Sequence, residues 1–173
     1  FDFGRMGRRP DGSEAELAFS LSFLREQDSA DVMTFVVQHK RPENFWFREL
    51  QAHVNGVSRV ASAVFTAESP TDHQYFLQAW TGIRAPRSSS LGVVAETPRG
   101  KVQITEPRPF EDAFGAKPAV SKGLRFSAVV FAGDAGKIRD TVSRSGIAAR
   151  ERNGRLVIHA HGAVLAFDLD ASG

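Results

Sequence analysis

The feature that most constrains this chain is an internal repeat. Ser62-Ala63-Val64-Phe65 returns as Ser127-Ala128-Val129-Val130, and a Gly-Ile pair follows each copy, Gly82-Ile83 and Gly146-Ile147, 20 and 19 residues on from the serine. Repeats of this kind mark one supersecondary unit used twice, and so fix architecture before any single residue is weighed. In both copies the pattern passes from strand to helix. Val57–Thr66 is rich in small and β-branched residues, as strands are. Glu68-Ser69-Pro70-Thr71-Asp72 then supplies capping residues and a proline suited to a first helical turn. Tyr75, Phe76, Ala79 and Trp80 follow as the apolar face, and Gly82 is the stop. The second copy reads Leu124–Ala132 as strand and Asp134 as helix start. Ile138, Thr141 and Val142 make its buried stripe, and Gly146 ends it.

Short strands follow each helix. The first copy has Ser90–Glu96, a Pro98-Arg99-Gly100 turn and Lys101–Thr105. The second has Ile147–Arg152, an Asn153-Gly154 turn, Arg155–Ala160 and Ala163–Asp168. Asn-Gly between two strand-like runs is a strong hairpin signal. The expected fold is α+β: tandem βαβββ units with mixed, mostly antiparallel sheets. The two helices are expected to pack on one face of the sheet through Phe76, Trp80, Ile138 and Val142.

The first fifty residues differ. Glu16–Leu24 alternates, with Leu17, Phe19, Leu21 and Phe23 on one face, and Val32–His39 is a second strand. Arg25–Ser29 is a polar connector, and Arg9-Pro10-Asp11-Gly12 a turn. This resembles the last two or three strands of a further βαβββ unit whose opening strand and helix are absent. Arg41-Pro42-Glu43-Asn44-Phe45-Trp46-Phe47 reads as a segment packed over a surface or pocket mouth, or as an aromatic connection between domains. The expected division is 1–50, terminal strands plus linker, and 51–173, two complete units.

Composition narrows the function classes. A chain 42% hydrophobic and 24% charged is ordinary globular material. With 22 Lys+Arg against 20 Asp+Glu and no basic run, no nucleic-acid partner is expected. The absence of cysteine removes disulfides and thiolate chemistry. No window approaches a membrane span, and the opening Phe1-Asp2-Phe3-Gly4 is neither a signal peptide nor a start methionine. The expectation is a cytoplasmic protein with no membrane partner, whose sequence begins inside a longer one. Nucleophile-elbow, P-loop, dinucleotide-binding and His-Glu-x-x-His motifs are lacking.

Gly7-Arg8-Arg9-Pro10-Asp11-Gly12, Gln38-His39-Lys40-Arg41-Pro42-Glu43-Asn44-Phe45-Trp46, Asn55-Gly56 and the βα pair ending in Thr81-Gly82 carry a resemblance. The chain looks like the later part of a glyoxalase-like protein of the vicinal oxygen chelate superfamily, which also includes bleomycin-resistance proteins and extradiol dioxygenases. The resemblance implies four units in two domains, with residues 1–47 ending the second unit, 56–115 the third and 123–170 the fourth. It implies sheets curled into a cup, where His and Glu often hold a divalent metal (Fe, Mn, Ni or Zn) that polarises vicinal oxygens of a substrate. Isomerase, lyase and dioxygenase chemistry are all open. So are a metal-free ligand-binding or sequestering module and a structural half of a larger enzyme. A homodimer binding a small molecule is the expected assembly.

Under this resemblance His39, at the end of an apolar strand, is the metal-ligand candidate, and a hydrogen-bonded strand-end histidine is the alternative. Glu43 is the candidate catalytic base, or the partner of Arg41. Arg9, Gln38, Phe45, Trp46 and His53 are candidate substrate contacts, although Gln38 falls on the strand face opposite His39. The first-strand positions of the last two units hold Ser62 and Ser127 in place of histidine. No metal is therefore expected there, and His159 with His161 reads as a hairpin pair.

Overall fold

The computed structural model describes residues 1–29, 32–118, 123–160 and 162–169. Eleven strands and three α-helices follow in the order β1 (Asp2–Arg8), β2 (Glu14–Arg25), β3 (Met33–His39), β4 (Val57–Thr66), α1 (Gln74–Thr81), β5 (Arg87–Ser89), β6 (Gly92–Thr97), β7 (Gly100–Thr105), α2 (Pro107–Phe114), β8 (Arg125–Gly133), α3 (Ala135–Ser145), β9 (Ala149–Arg152), β10 (Arg155–Ala160) and β11 (Ala163–Asp168) among these residues.

The repeat is realised as one eight-stranded sheet of order β5-β6-β7-β4-β8-β11-β10-β9. In each half the strand before the helix pairs in parallel with the last strand of its unit, β4 with β7 and β8 with β11. The two leading strands meet antiparallel at the centre, Val64 opposite Ala128. The order is the same from either end, as a pseudo-twofold through the β4–β8 pair requires. This is the expected α+β architecture of two βαβββ units. Gly82 and Gly146 cap α1 and α3 in the left-handed conformation, and the Asp134 carboxylate accepts the Lys137 amide at 3.0 Å.

Alternation along the strands separates the two faces. Val64 of β4 and Val164 and Ala166 of β11 join Phe110 and Phe114 of α2 in one core. Their neighbours Phe65, Leu165 and Phe167 turn the other way, toward α1 and α3. So α2 lies on one face and the repeated helices lie on the other. Phe110 and Phe114 meet as a tilted ring pair at 4.7 Å between centroids and fill the middle of the sheet's α2 face with the chain's own side chains.

Several details differ from the expectations. Tyr75 is 83% exposed, while Leu77 has no exposed surface, so the inward face of α1 is Phe76, Leu77 and, half-buried, Trp80. Ser90–Glu96 is not one strand: a turn at Ser90-Leu91 separates β5 from β6. Strand β1 pairs along its whole length with β2, although its two glycines and two arginines give no strand pattern. The segment Pro107-Arg108-Pro109 opens a helix. Both prolines sit in its first turn, where no amide has to be donated.

The three-stranded sheet, of order β1-β2-β3, has the sense of the last three strands of the other units. The connector after β2 is more than a polar link. Ser29, almost fully buried, accepts the Leu124 amide at 2.7 Å, and Glu26 pairs with buried His73 at 3.0 Å. A side chain at Gly123 would collide with the Asp28 carbonyl, so glycine is required for this approach. No helix of the described residues is long and apolar enough to cross a membrane.

Candidate functional site

The residues singled out at the end of β3 fall into an aromatic cluster. His39 lies opposite Phe19 in the β2–β3 register. Its ring is 5.0 Å from Phe19, 4.6 Å from Phe45 and 5.4 Å from Trp46, centroid to centroid. The Nδ1 atom of His39 is buried with no hydrogen-bond partner. The turn that carries Phe45 and Trp46 is held by Asn44, whose amide donates to the Glu16 carbonyl at 2.8 Å and whose Oδ1 accepts from Arg9.

The other candidates do not converge there. Arg9 is engaged in fixing that turn. Gln38 is exposed and, by alternation, faces away from His39. Glu43 is exposed in the 3-10 turn Pro42–Asn44, and Arg41 pairs with Glu16 at 3.9 Å instead. His53 is exposed and accepts the Asn55 amide through Nδ1 at 3.3 Å. His159 is exposed, with Nε2 3.4 Å from the Phe114 carbonyl oxygen, and His161 lies outside the described residues. Among the described residues no three His, Asp or Glu side chains gather to hold a metal ion. Around His39 the donor set is one imidazole among hydrocarbon rings, which does not fit a metal centre.

A second locus was not singled out in the sequence. On the α2 face of the large sheet, beyond Phe114, lies a cleft of about 580 Å³ lined by Arg59, Ser62, Glu96, Arg99, Lys101, Gln103, Arg155 and Asp168, among others. This volume suits a small organic ligand, for which pockets of roughly 300–1,000 Å³ are usual. Its shape has a local cause. Strand β4 breaks register between Val60 and Ser62, and such bulges bend a strand. The β6–β7 turn tucks against that bend, because a Cβ at Gly100 would lie only 2.9 Å from the carbonyl oxygens of both Val60 and Ala61.

Ser62 is 5% exposed and its Oγ has no hydrogen-bond partner in the protein. Ser127, its counterpart in the repeat, is satisfied by Thr66 at 2.7 Å. Leaving a buried hydroxyl unpaired costs about 1–3 kcal/mol, so such a group calls for an explanation. The charges around it are unevenly paired. Arg155 donates to Asp168 at 2.7 Å and lies over the Phe114 ring. Glu96 pairs with Lys101 at 3.3 Å and with Arg87. Desolvation pushes the Glu96 carboxyl up, but the Lys101 hydrogen bond and charge, then those of Arg87, outweigh it and hold the group below its ordinary value of 4.5. Among the described residues Arg59 and Arg99 have no carboxylate partner. The signal available in the sequence was Ser62 itself, a hydroxyl amid apolar β4 residues at a repeated position.

No family model and no curated protein sequence matches the chain. Among solved structures, a hypothetical protein from Staphylococcus aureus superposes with a TM-score of 0.57 at 9% identity, over 96% of this chain and 54% of that one. The chain thus spans about half the length of that protein. Methylmalonyl-CoA epimerase from Mycobacterium tuberculosis superposes with a TM-score of 0.47 at 11% identity, over 67% of this chain and 90% of that one. The first likeness concerns the fold alone, and the second is too slight to build on.

Proposed function

We propose that this chain is a ligand-binding part of a glyoxalase-like protein and that it takes a small oxygenated organic molecule in the cleft beside Ser62. The observation that carries the reading is the buried, partnerless Ser62 hydroxyl, when among the described residues the other buried polar side chains are paired, His39 excepted. A ligand oxygen or N–H at that point meets a need the fold leaves open. Binding is the role the described residues are equipped for. In this reading the N-terminal strands end a further βαβββ unit, and His39 packs among its aromatic neighbours.

The test is a thermal-shift screen of hydroxy acids, keto acids and diols on the chain and on Ser62→Ala. Removing an unpaired buried hydroxyl should stabilise the free protein by about 1 kcal/mol, roughly 2–4 °C in melting temperature, while abolishing protection by the ligand. A ligand that protects Ser62→Ala as well as it protects the parent would place binding elsewhere, and a screen without hits would reject the reading.

A second reading keeps the site at His39, favoured by its own partnerless Nδ1 among Phe19, Phe45 and Trp46. It is tested by titrating Fe(II), Mn(II), Ni(II) and Zn(II) into the chain and into His39→Ala. Equal, weak binding in both agrees with the cleft reading. A stoichiometric site lost in His39→Ala would favour the second.

A further inference from the structure

The cleft beside Ser62 has a charge pattern that specifies more than a small oxygenated molecule. Four cationic side chains and two carboxylates line it. Both carboxylates are already matched, Asp168 by Arg155 and Glu96 by Lys101 and Arg87. Arg59 and Arg99 remain unmatched among the described residues. They reach the cleft from different segments, Arg59 from β4 three residues before Ser62 and Arg99 from the β6–β7 turn. Gly100 lets that turn lie against β4 at the bend, which brings the two segments together. Like charges held at one cleft without counter-charge repel each other, and bringing a neutral ligand over them would desolvate them without compensation.

Resting on the proposal that the cleft is the ligand site, we infer that the ligand is an oxyanion: a small organic molecule bearing a carboxylate or phosphate group, held by the Arg59 and Arg99 guanidinium groups and by the Ser62 hydroxyl. A guanidinium presents paired N–H donors at the spacing of carboxylate and phosphate oxygens. The Ser62 Oγ–H supplies a donor at the buried end, and the Gln103 amide lines the same space. Two unmatched cations suit a ligand of up to two negative charges. The volume leaves room for an organic body attached to the anionic group.

Calorimetric titration of the full 173-residue chain at low salt tests this, with malonate, inorganic phosphate and the neutral isostere malonamide as probes. Malonate should bind, malonamide should bind about tenfold or more weakly, and affinity should fall as salt is raised. Arg59→Gln and Arg99→Gln should each weaken malonate about tenfold without changing the circular-dichroism melt. Arg108→Gln, an exposed change on α2 away from the cleft, should leave binding as it was. Phosphate binding more tightly than malonate would support the oxyanion and make its anionic group a phosphate rather than a carboxylate. Malonamide binding as tightly as malonate, with both arginine variants unaffected, would overturn the inference; loss of that binding in Ser62→Ala would still leave the cleft as the ligand site. No heat from either anion up to about 10 mM, a concentration at which even a feeble site fills, would also overturn it. Ligands that still protected in the thermal-shift screen would then show that only the charge assignment had failed.

Discussion

Ser62 and His39 each bury one polar atom without a partner, and their surroundings give the two cases different meanings. Ser62 lies in the lining of a polar cleft with unmatched cations; His39 faces aromatic rings. Replacing His39 by Phe should keep the ring contacts and remove the unpaired nitrogen, so melting should be unchanged or raised by about 1 kcal/mol equivalent. A loss of several degrees would show that the imidazole holds a partner. Glu96 supplies a test in pH. Its folded value lies below the ordinary 4.5, so its pairing with Lys101 and Arg87 stabilises the fold above 4.5 and that contribution fades as pH falls through the lowered value. The melting difference between the chain and Glu96→Gln should be constant above 4.5 and shrink as pH falls below it through the lowered value. A difference that grows in acid would refute the pairing. The Ser62 hydroxyl was visible in the sequence; its lack of a partner was not, because Ser127 at the equivalent position is paired through Thr66, which only the fold brings near.

At the scale of elements, the repeated serines and glycines made the two βα pairs legible. Periodicity located α1 but could not orient it. Eight residues holding Tyr75, Phe76, Leu77 and Trp80 are apolar on most sides, and the face is settled by what the sheet offers: Phe65, Val93, Ala95 and Ile104 receive Phe76 and Leu77. Leu77→Ala should therefore cost about 2–5 kcal/mol, and Tyr75→Ala no more than about 0.5. Trp80→Ala should fall between, as a half-buried side chain would. Reversed values in chemical denaturation would return the inward face to Tyr75. The sequence carries no helix signal for α2, since two prolines in three residues ordinarily interrupt a helix, and none for β1, since an edge strand needs only a willing partner in β2. Phe110, 1% exposed, is the main plug of the α2 face, and Phe110→Ala should cost about 3–5 kcal/mol.

At the scale of the whole molecule, the three-stranded sheet is fixed to the eight-stranded one by contacts that pattern cannot reveal: Ser29 with Leu124, Glu26 with His73, and the bare backbone of Gly123 under Asp28. Gly123→Ala should force these layers apart and expose the buried Ser29 end of the connector to limited proteolysis, whereas the proposed ligand site at the Ser62 cleft, lined wholly by the large sheet, should be unaffected. The division into a cleft that binds and an aromatic cluster that braces is the central claim. A proton–nitrogen NMR titration of the chain with malonate tests it most directly. Shifts centred on the amides of Ser62, Lys101 and Gln103 are predicted, with His39, Phe45 and the Trp46 indole unmoved. Shifts centred on His39, Phe45 and Trp46, with Ser62 still, would contradict it.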